Sequence, residues 1–154
     1  MLRLVRRFQL LADIMVLILQ WNARSLVANG QEFKHFINSL PMAPDVLCIQ
    51  ETWLTLNLDF RINNYISVRG DRENGIGGGC ATFIKRNIPY QVIAKGREEE
   101  YIIIKIWTNQ GQLSVINYYN PCIKLVFDKL CQIVGKVDNQ IFLCGDFNAH
   151  TLTV

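Results

Sequence analysis

Little in this sequence points to a membrane, a metal cage or a covalent nucleophile, and each shortage removes a class of function. The apolar run near the N-terminus, residues 14–19, falls far short of the ~20 residues a membrane-spanning helix needs. The five cysteines, Cys48, Cys80, Cys122, Cys131 and Cys144, contain no C-x-x-C pair and are odd in number. That argues against a disulfide framework or a zinc site, and for a reducing compartment. Excess charge is scarce: 16 basic against 13 acidic residues leave a net +3, compatible with a polyanionic partner without demanding one. No Ser-His-Asp or Cys-His spacing offers a nucleophile with its base. There is no internal repeat, low-complexity tract or linker.

What remains is a globular composition, 154 residues with half of them hydrophobic and 19% charged, the size of one domain. Arg3, Arg6 and Arg7 ahead of an apolar stretch imitate a secretory signal, but Gln9 and Asp13 interrupt it, and the run leads directly into polar Trp21-Asn22-Ala23-Arg24-Ser25. The reading is a nuclear or cytoplasmic protein, neither secreted nor membrane-bound. Residues 1–13 read as an upstream extension, with Met15 a candidate natural start, and 14–154 as a single domain.

Hydrophobic periodicity gives an order of strands and helices. Strands are predicted at 14–20, 46–50, 65–69 and 80–85, a hairpin at 101–107 and 112–119 about the turn 108–111, and a closing strand at 141–144 broken by Gly145. Asn29-Gly30-Gln31-Glu32 has capping-box spacing ahead of Phe33, Phe36, Ile37 and Leu40, so a helix is predicted there, ended by Pro41 and Pro44. A second helix is predicted over 124–136. The charge block Arg97-Glu98-Glu99-Glu100 reads as a solvated turn, and the Gly75 to Gly79 stretch as a mobile hairpin turn rather than a phosphate cradle, since it precedes a strand.

Four predicted strands end in polar groups of complementary kinds: Asn22; Gln50-Glu51-Thr52; Tyr118-Tyr119-Asn120-Pro121; and Asp146 with Asn148. If they converge, oxygen donors with no His or Cys among them suit Mg²⁺ or Mn²⁺ rather than zinc. Glu51 would hold the ion, Asp146 would activate water, Asn148 would orient it or hold the transition state, and Tyr119 would donate to a phosphate oxygen. Each has a plainer rival: Glu51 and Asp146 as turn caps, and one of the adjacent tyrosines as core. Trp21 and Trp53 could stack on bases, although a tryptophan beside an apolar strand is usually core. His35 reads as a surface residue, and His150 follows Asp146 and Asn148 closely enough to touch substrate.

The stretches Gln20-Trp21-Asn22-Ala23-Arg24-Ser25-Leu26, Cys48-Ile49-Gln50-Glu51-Thr52-Trp53-Leu54, Tyr118-Tyr119-Asn120-Pro121 and Gly145-Asp146-Phe147-Asn148-Ala149-His150 resemble the endonuclease/exonuclease/phosphatase superfamily. The branch they are most similar to is the apurinic-type endonuclease domain of non-LTR retrotransposons, which the stretch from Arg69 to Gly79 resembles too. The resemblance implies an α/β four-layer sandwich, two facing mixed β-sheets flanked by helices. It implies Asn22 and Glu51 on the metal side, Tyr119 on the phosphate, and Asp146 with Asn148 as the water-activating pair. The implied activity is metal-dependent nicking of DNA, leaving a 3′-hydroxyl that primes reverse transcription.

Two residues depart from the pattern. Arg24 stands where some repair enzymes are acidic, favouring strand nicking and a grip on phosphate, and Cys122 replaces an Asn. The Ser-Asp-His element found near the end of such domains is absent from the sequence, so the chain is expected to be C-terminally truncated and weakly active or inactive. The alternatives are a non-catalytic relic or nucleic-acid-binding module and, third, a phosphatase of phosphoinositides or other small phosphoesters.

Overall fold

A computed structural model of the chain describes residues 16–96, 98–121 and 127–148. The most continuous apolar runs form the middle of each sheet. β1 (Ile18–Asn22), β2 (Val46–Gln50), β3 (Tyr65–Gly70) and β4 (Cys80–Lys85) make one sheet in the order β1-β2-β4-β3. β1 and β2 are parallel, and the β2–β4 and β3–β4 pairs antiparallel. β5 (Tyr90–Lys95), β6 (Glu100–Thr108), β7 (Gly111–Tyr119) and β8 (Gln140–Asp146) make the other in chain order, with only β7 and β8 parallel.

The two sheets face each other across Ile18, Val46, Cys48, Val68, Cys80 and Ile84 on one side and Ile102, Ile104, Ile106, Val115, Phe142 and Cys144 on the other. Helix α1 (Leu26–Ser39) covers the outer face of the first sheet through Leu26, Phe33 and Ile37 packed on Leu19, Leu47, Ile49 and Phe83. Helix α2 (Phe127–Val134) covers the second through Leu130, Ile133 and Val134, against Tyr101, Ile103, Ile116 and Tyr118. The result is the four-layer sandwich of two mixed sheets between helices. Each fully buried aliphatic side chain in it contributes roughly 1.5–3 kcal/mol.

Four local expectations are corrected. Helix α1 begins a turn before Asn29: Ser25 is its N-cap, the hydroxyl accepting from the Ala28 N–H at 3.2 Å. Gly30 lies inside the helix, where a Cβ would come within 2.3 Å of the Phe60 ring. β5 was not anticipated, because Tyr90–Lys95 is a half-exposed edge strand without clean alternation. β8 runs through Gly145 instead of breaking there, since the missing Cβ lets the strand close on β7; a methyl group would sit 1.8 Å from the Tyr118 carbonyl oxygen. Glu100 is no solvated turn residue: it opens β6 at 6% exposure, accepting from Arg72 Nε at 2.5 Å and from the Gly79 N–H at 2.7 Å. The expected extension 1–13, residues 124–126 of the second predicted helix, and Cys122 lie outside the described residues. Among the described residues no helix is long and apolar enough to cross a membrane.

Candidate functional site

Along the facing surfaces of β1, β2, β7 and β8 the side chains change from apolar to polar toward the C-terminal ends. The sequence of inward residues is Ile18, Gln20, Asn22 on β1, and Val46, Cys48, Gln50 on β2. On β7 it is Val115, Asn117, Tyr119, and on β8 Phe142, Cys144, Asp146. Parallel pairing within each sheet brings these ends to one edge of the sandwich. The cysteines mark the boundary. The Cys48 thiol is pushed well above its usual value, first by its hydrogen bond with Cys144 and then by burial, so it sits there as an uncharged filler.

Above that boundary lies a polar network. Gln50, fully buried, accepts from Gln20 Nε2 at 2.5 Å and donates to Asn117 Oδ1 at 2.6 Å. Asn117 Nδ2 in turn reaches Thr82 Oγ1 at 3.2 Å and the carbonyls of Ala81 at 3.1 Å and Ile49 at 3.3 Å. These side chains stitch β1, β2, β4 and β7 together beneath the cleft. Of these only Gln50 stands among the polar strand ends predicted from the sequence, though Gln20 and Asn117 carry a signal too, as polar interruptions of apolar strands two places before Asn22 and Tyr119.

At the rim, Asn22 Nδ2 donates to Glu51 Oε1 at 2.8 Å and to Asp146 Oδ2 at 2.7 Å. One carboxamide thus holds a carboxylate from each sheet. The Asn22 oxygen accepts from the Arg24 N–H at 3.1 Å, and the second oxygen of Glu51 has no hydrogen-bond partner among the described residues. Asp146 also forms an Asx turn, its Oδ1 accepting from the Asn148 N–H at 3.1 Å. Asn148 does not continue the strand. With φ 43° it turns away, and its side chain donates to the Asn120 carbonyl at 2.5 Å.

Both tyrosines are buried: Tyr118 packs under α2, and Tyr119 lies between the sheets as the register partner of Asp146. Arg24 is exposed at the rim of the cleft, which holds about 510 Å³ and is lined by Gln20, Asn22, Arg24, Asn29 and Asp146 among others. His150 lies outside the described residues. The structure therefore brings Asn22, Glu51 and Asp146 into direct contact, and sets Asn148, Tyr119 and Arg24 beside them.

The loops that carry these groups are strained. Of six described non-glycine residues with positive φ, five lie here: Arg24, Ser25, Glu51, Trp53 and Asn148. Backbone bonds hold the geometry, with Ser25 N–H on the Glu51 carbonyl at 2.9 Å, Leu26 N–H on that of Thr52 at 2.9 Å, and Asn120 N–H on that of Asp146 at 2.8 Å.

The sequence profile of the Endonuclease/Exonuclease/phosphatase family matches residues 19–152. The chain belongs to that family. Solved structures show the same fold at low identity. The endonuclease domain of TRAS1, a telomere-specific non-LTR retrotransposon, superposes with a TM-score of 0.63 at 16% identity, over 87% of this chain and 61% of that one. The catalytic domain of Xenopus laevis APE2 gives 0.59 at 19% identity, over 86% and 58%. D. rerio TDP2, in complex with a single-stranded DNA product, gives 0.58 at 16%, over 87% and 61%. The chain thus spans about three-fifths of the length of these proteins.

Family membership raises the question of a divalent ion. Among the described residues no group of three or more His, Cys, Asp and Glu side chains forms a metal cage. The donors at the rim are instead two carboxylates bridged by an amide, with one oxygen of Glu51 accepting no hydrogen bond among the described residues. That set fits Mg²⁺ or Mn²⁺, which bind through one or two carboxylates and keep several waters.

Proposed function

We propose that this chain carries the phosphodiesterase site of a DNA-nicking endonuclease of the retrotransposon type. The observation that supports it most is the Asn22 carboxamide donating to Glu51 and Asp146 at once, which gathers two carboxylates from separate sheets around one side chain of the cleft wall. A hard divalent ion held by Glu51, on the Asn22 side, would neutralise charge on the phosphoryl oxygens.

The chain's own residues have distinct tasks in this reading. Asp146, fixed from both sides by the Asn22 amide and the Asn148 N–H, takes the proton of the attacking water. The water oxygen forms the new bond to phosphorus, the bond to the 3′ oxygen breaks, and that oxygen leaves as a hydroxyl with a proton from solvent. Asn148, tied to the Asn120 carbonyl, holds the turn that aims Asp146, and Tyr119 and Arg24 bind phosphate oxygens.

The test is relaxation of supercoiled plasmid by the chain with Mg²⁺ or Mn²⁺. Slow accumulation of nicked circles, abolished by EDTA and in Glu51→Ala or Asp146→Ala, is expected. Nicking that survives either substitution would refute the assignment. Hydrolysis of a soluble inositol phosphate in preference to plasmid would favour the phosphatase reading instead.

A further inference from the structure

We propose that Trp53 is a stacking platform for an unpaired nucleobase next to the scissile phosphate, an inference that rests on the nuclease reading and names what it selects. Tryptophan is usually core, and Trp21 obeys: it is 9% exposed and stacked on Phe33, with ring centroids 4.4 Å apart. Trp53 does not, at 42% exposure on the same turn as Glu51.

Its backbone is in the left-handed region, φ 55°, where a bulky side chain is an outlier needing support from its surroundings. That support is visible. The Trp53 N–H donates to the Gly78 carbonyl at 2.9 Å, and the Thr52 N–H to that of Gly79 at 3.2 Å. The indole lies against Gly77, where a Cβ would stand 3.2 Å from its ring nitrogen, so the absence of a side chain there is what lets the ring lie close.

The glycine turn is in turn anchored. A Cβ on Gly78 would come within 2.3 Å of the Arg72 guanidinium, which is ion-paired to buried Glu100 of the second sheet. A ring backed on one side by clamped backbone and open to solvent elsewhere is rigid before any ligand arrives, so little ordering opposes stacking.

The chemistry of the neighbourhood selects the occupant. Glu51 has the exposed indole on its own turn and exposed Arg24 on the loop bonded to its carbonyl. A cation and an aromatic face flanking a phosphoester site match a nucleotide's phosphate and base. An inositol phosphate has no π-face to offer. Base stacking on an aromatic needs a base free of its own stack, so the favoured substrate is single-stranded or locally opened DNA.

The test is a tryptophan-fluorescence titration of the intact chain with oligothymidylate, at low salt in EDTA so that nothing is cleaved. Wild-type emission should be quenched. Trp53→Phe should remove most of the quench while retaining affinity, and Trp53→Ala should weaken binding about tenfold. A baseless deoxyribose-phosphate polymer of equal length should bind wild type and Trp53→Ala alike. Several results would overturn the proposal: no binding of oligothymidylate, quenching that persists in Trp53→Phe, equal loss on both polymers in Trp53→Ala, or a concentration-dependent shift of Trp53 emission without DNA, which would put a second copy on the indole. Cleavage assays of Glu51→Ala and Asp146→Ala report separately on the nuclease reading, so failure of one is distinguishable from failure of the other.

Discussion

Asn22 and Asp146 stand 124 positions apart in the chain and meet at 2.7 Å, the amide nitrogen of one donating to the carboxylate of the other. The same nitrogen reaches Glu51, so a single amide registers the first sheet against the second at the place where chemistry is proposed. Asn22→Ala would leave two carboxylates facing each other without their common donor. It should lower the nicking rate roughly a hundredfold through misplacement, while stability falls by only about 1–2 kcal/mol. Plasmid relaxation and urea unfolding of the same preparation check both parts.

Gly145 allows β7 and β8 to close beside the site. A side chain there would meet the Tyr118 backbone, and φ 151° is itself unfavourable for any other residue. Gly145→Ala should destabilise the fold by about 3 kcal/mol, since neither backbone can yield without breaking the parallel ladder. A shift of the urea midpoint with an unchanged m-value is the expected signature.

Much of this arrangement was legible in the sequence, for identifiable reasons. β2 and β4 are short apolar runs, and the polar groups that end β1, β2, β7 and β8 stand out because the residues before them are mostly apolar. What was illegible depended on contacts distant in the chain. Gly30 looks like a turn residue until Phe60 is packed against it, and Glu100 belongs to a charged block until Arg72 is brought to it from 28 positions away. The Gln50–Asn117 bond joins residues 67 positions apart, and no local pattern reports it. The turn at Asn148 is hidden for the same reason, since it depends on Asn120, 28 positions away. The Asn148 amide captures the Asn120 carbonyl and turns the chain.

Stability should also respond to alkaline pH through Tyr65. Its hydroxyl donates to the Pro44 carbonyl at 2.5 Å, and burial, with the Asp45 carboxylate adding to it, pushes its pKa from 10 up to about 12. The folded chain therefore keeps a proton that the unfolded chain releases, so this contribution is complete below pH 10 and is lost as pH rises toward 12. The loss amounts to about 2 kcal/mol. Tyr65→Phe should start from a lower stability and lack that component of the decline, measured as urea midpoints between pH 9 and pH 12.

The account depends most on Glu51 and Asp146 serving one divalent ion. Electron paramagnetic resonance of Mn²⁺ titrated with the chain measures this directly, through the loss of the free-ion signal. Wild type should take up Mn²⁺ at a single site, Glu51→Gln should abolish that uptake, and Asp146→Asn should weaken it about tenfold or more. Mn²⁺ binding that is unchanged in both variants would contradict the shared site and the nuclease reading with it.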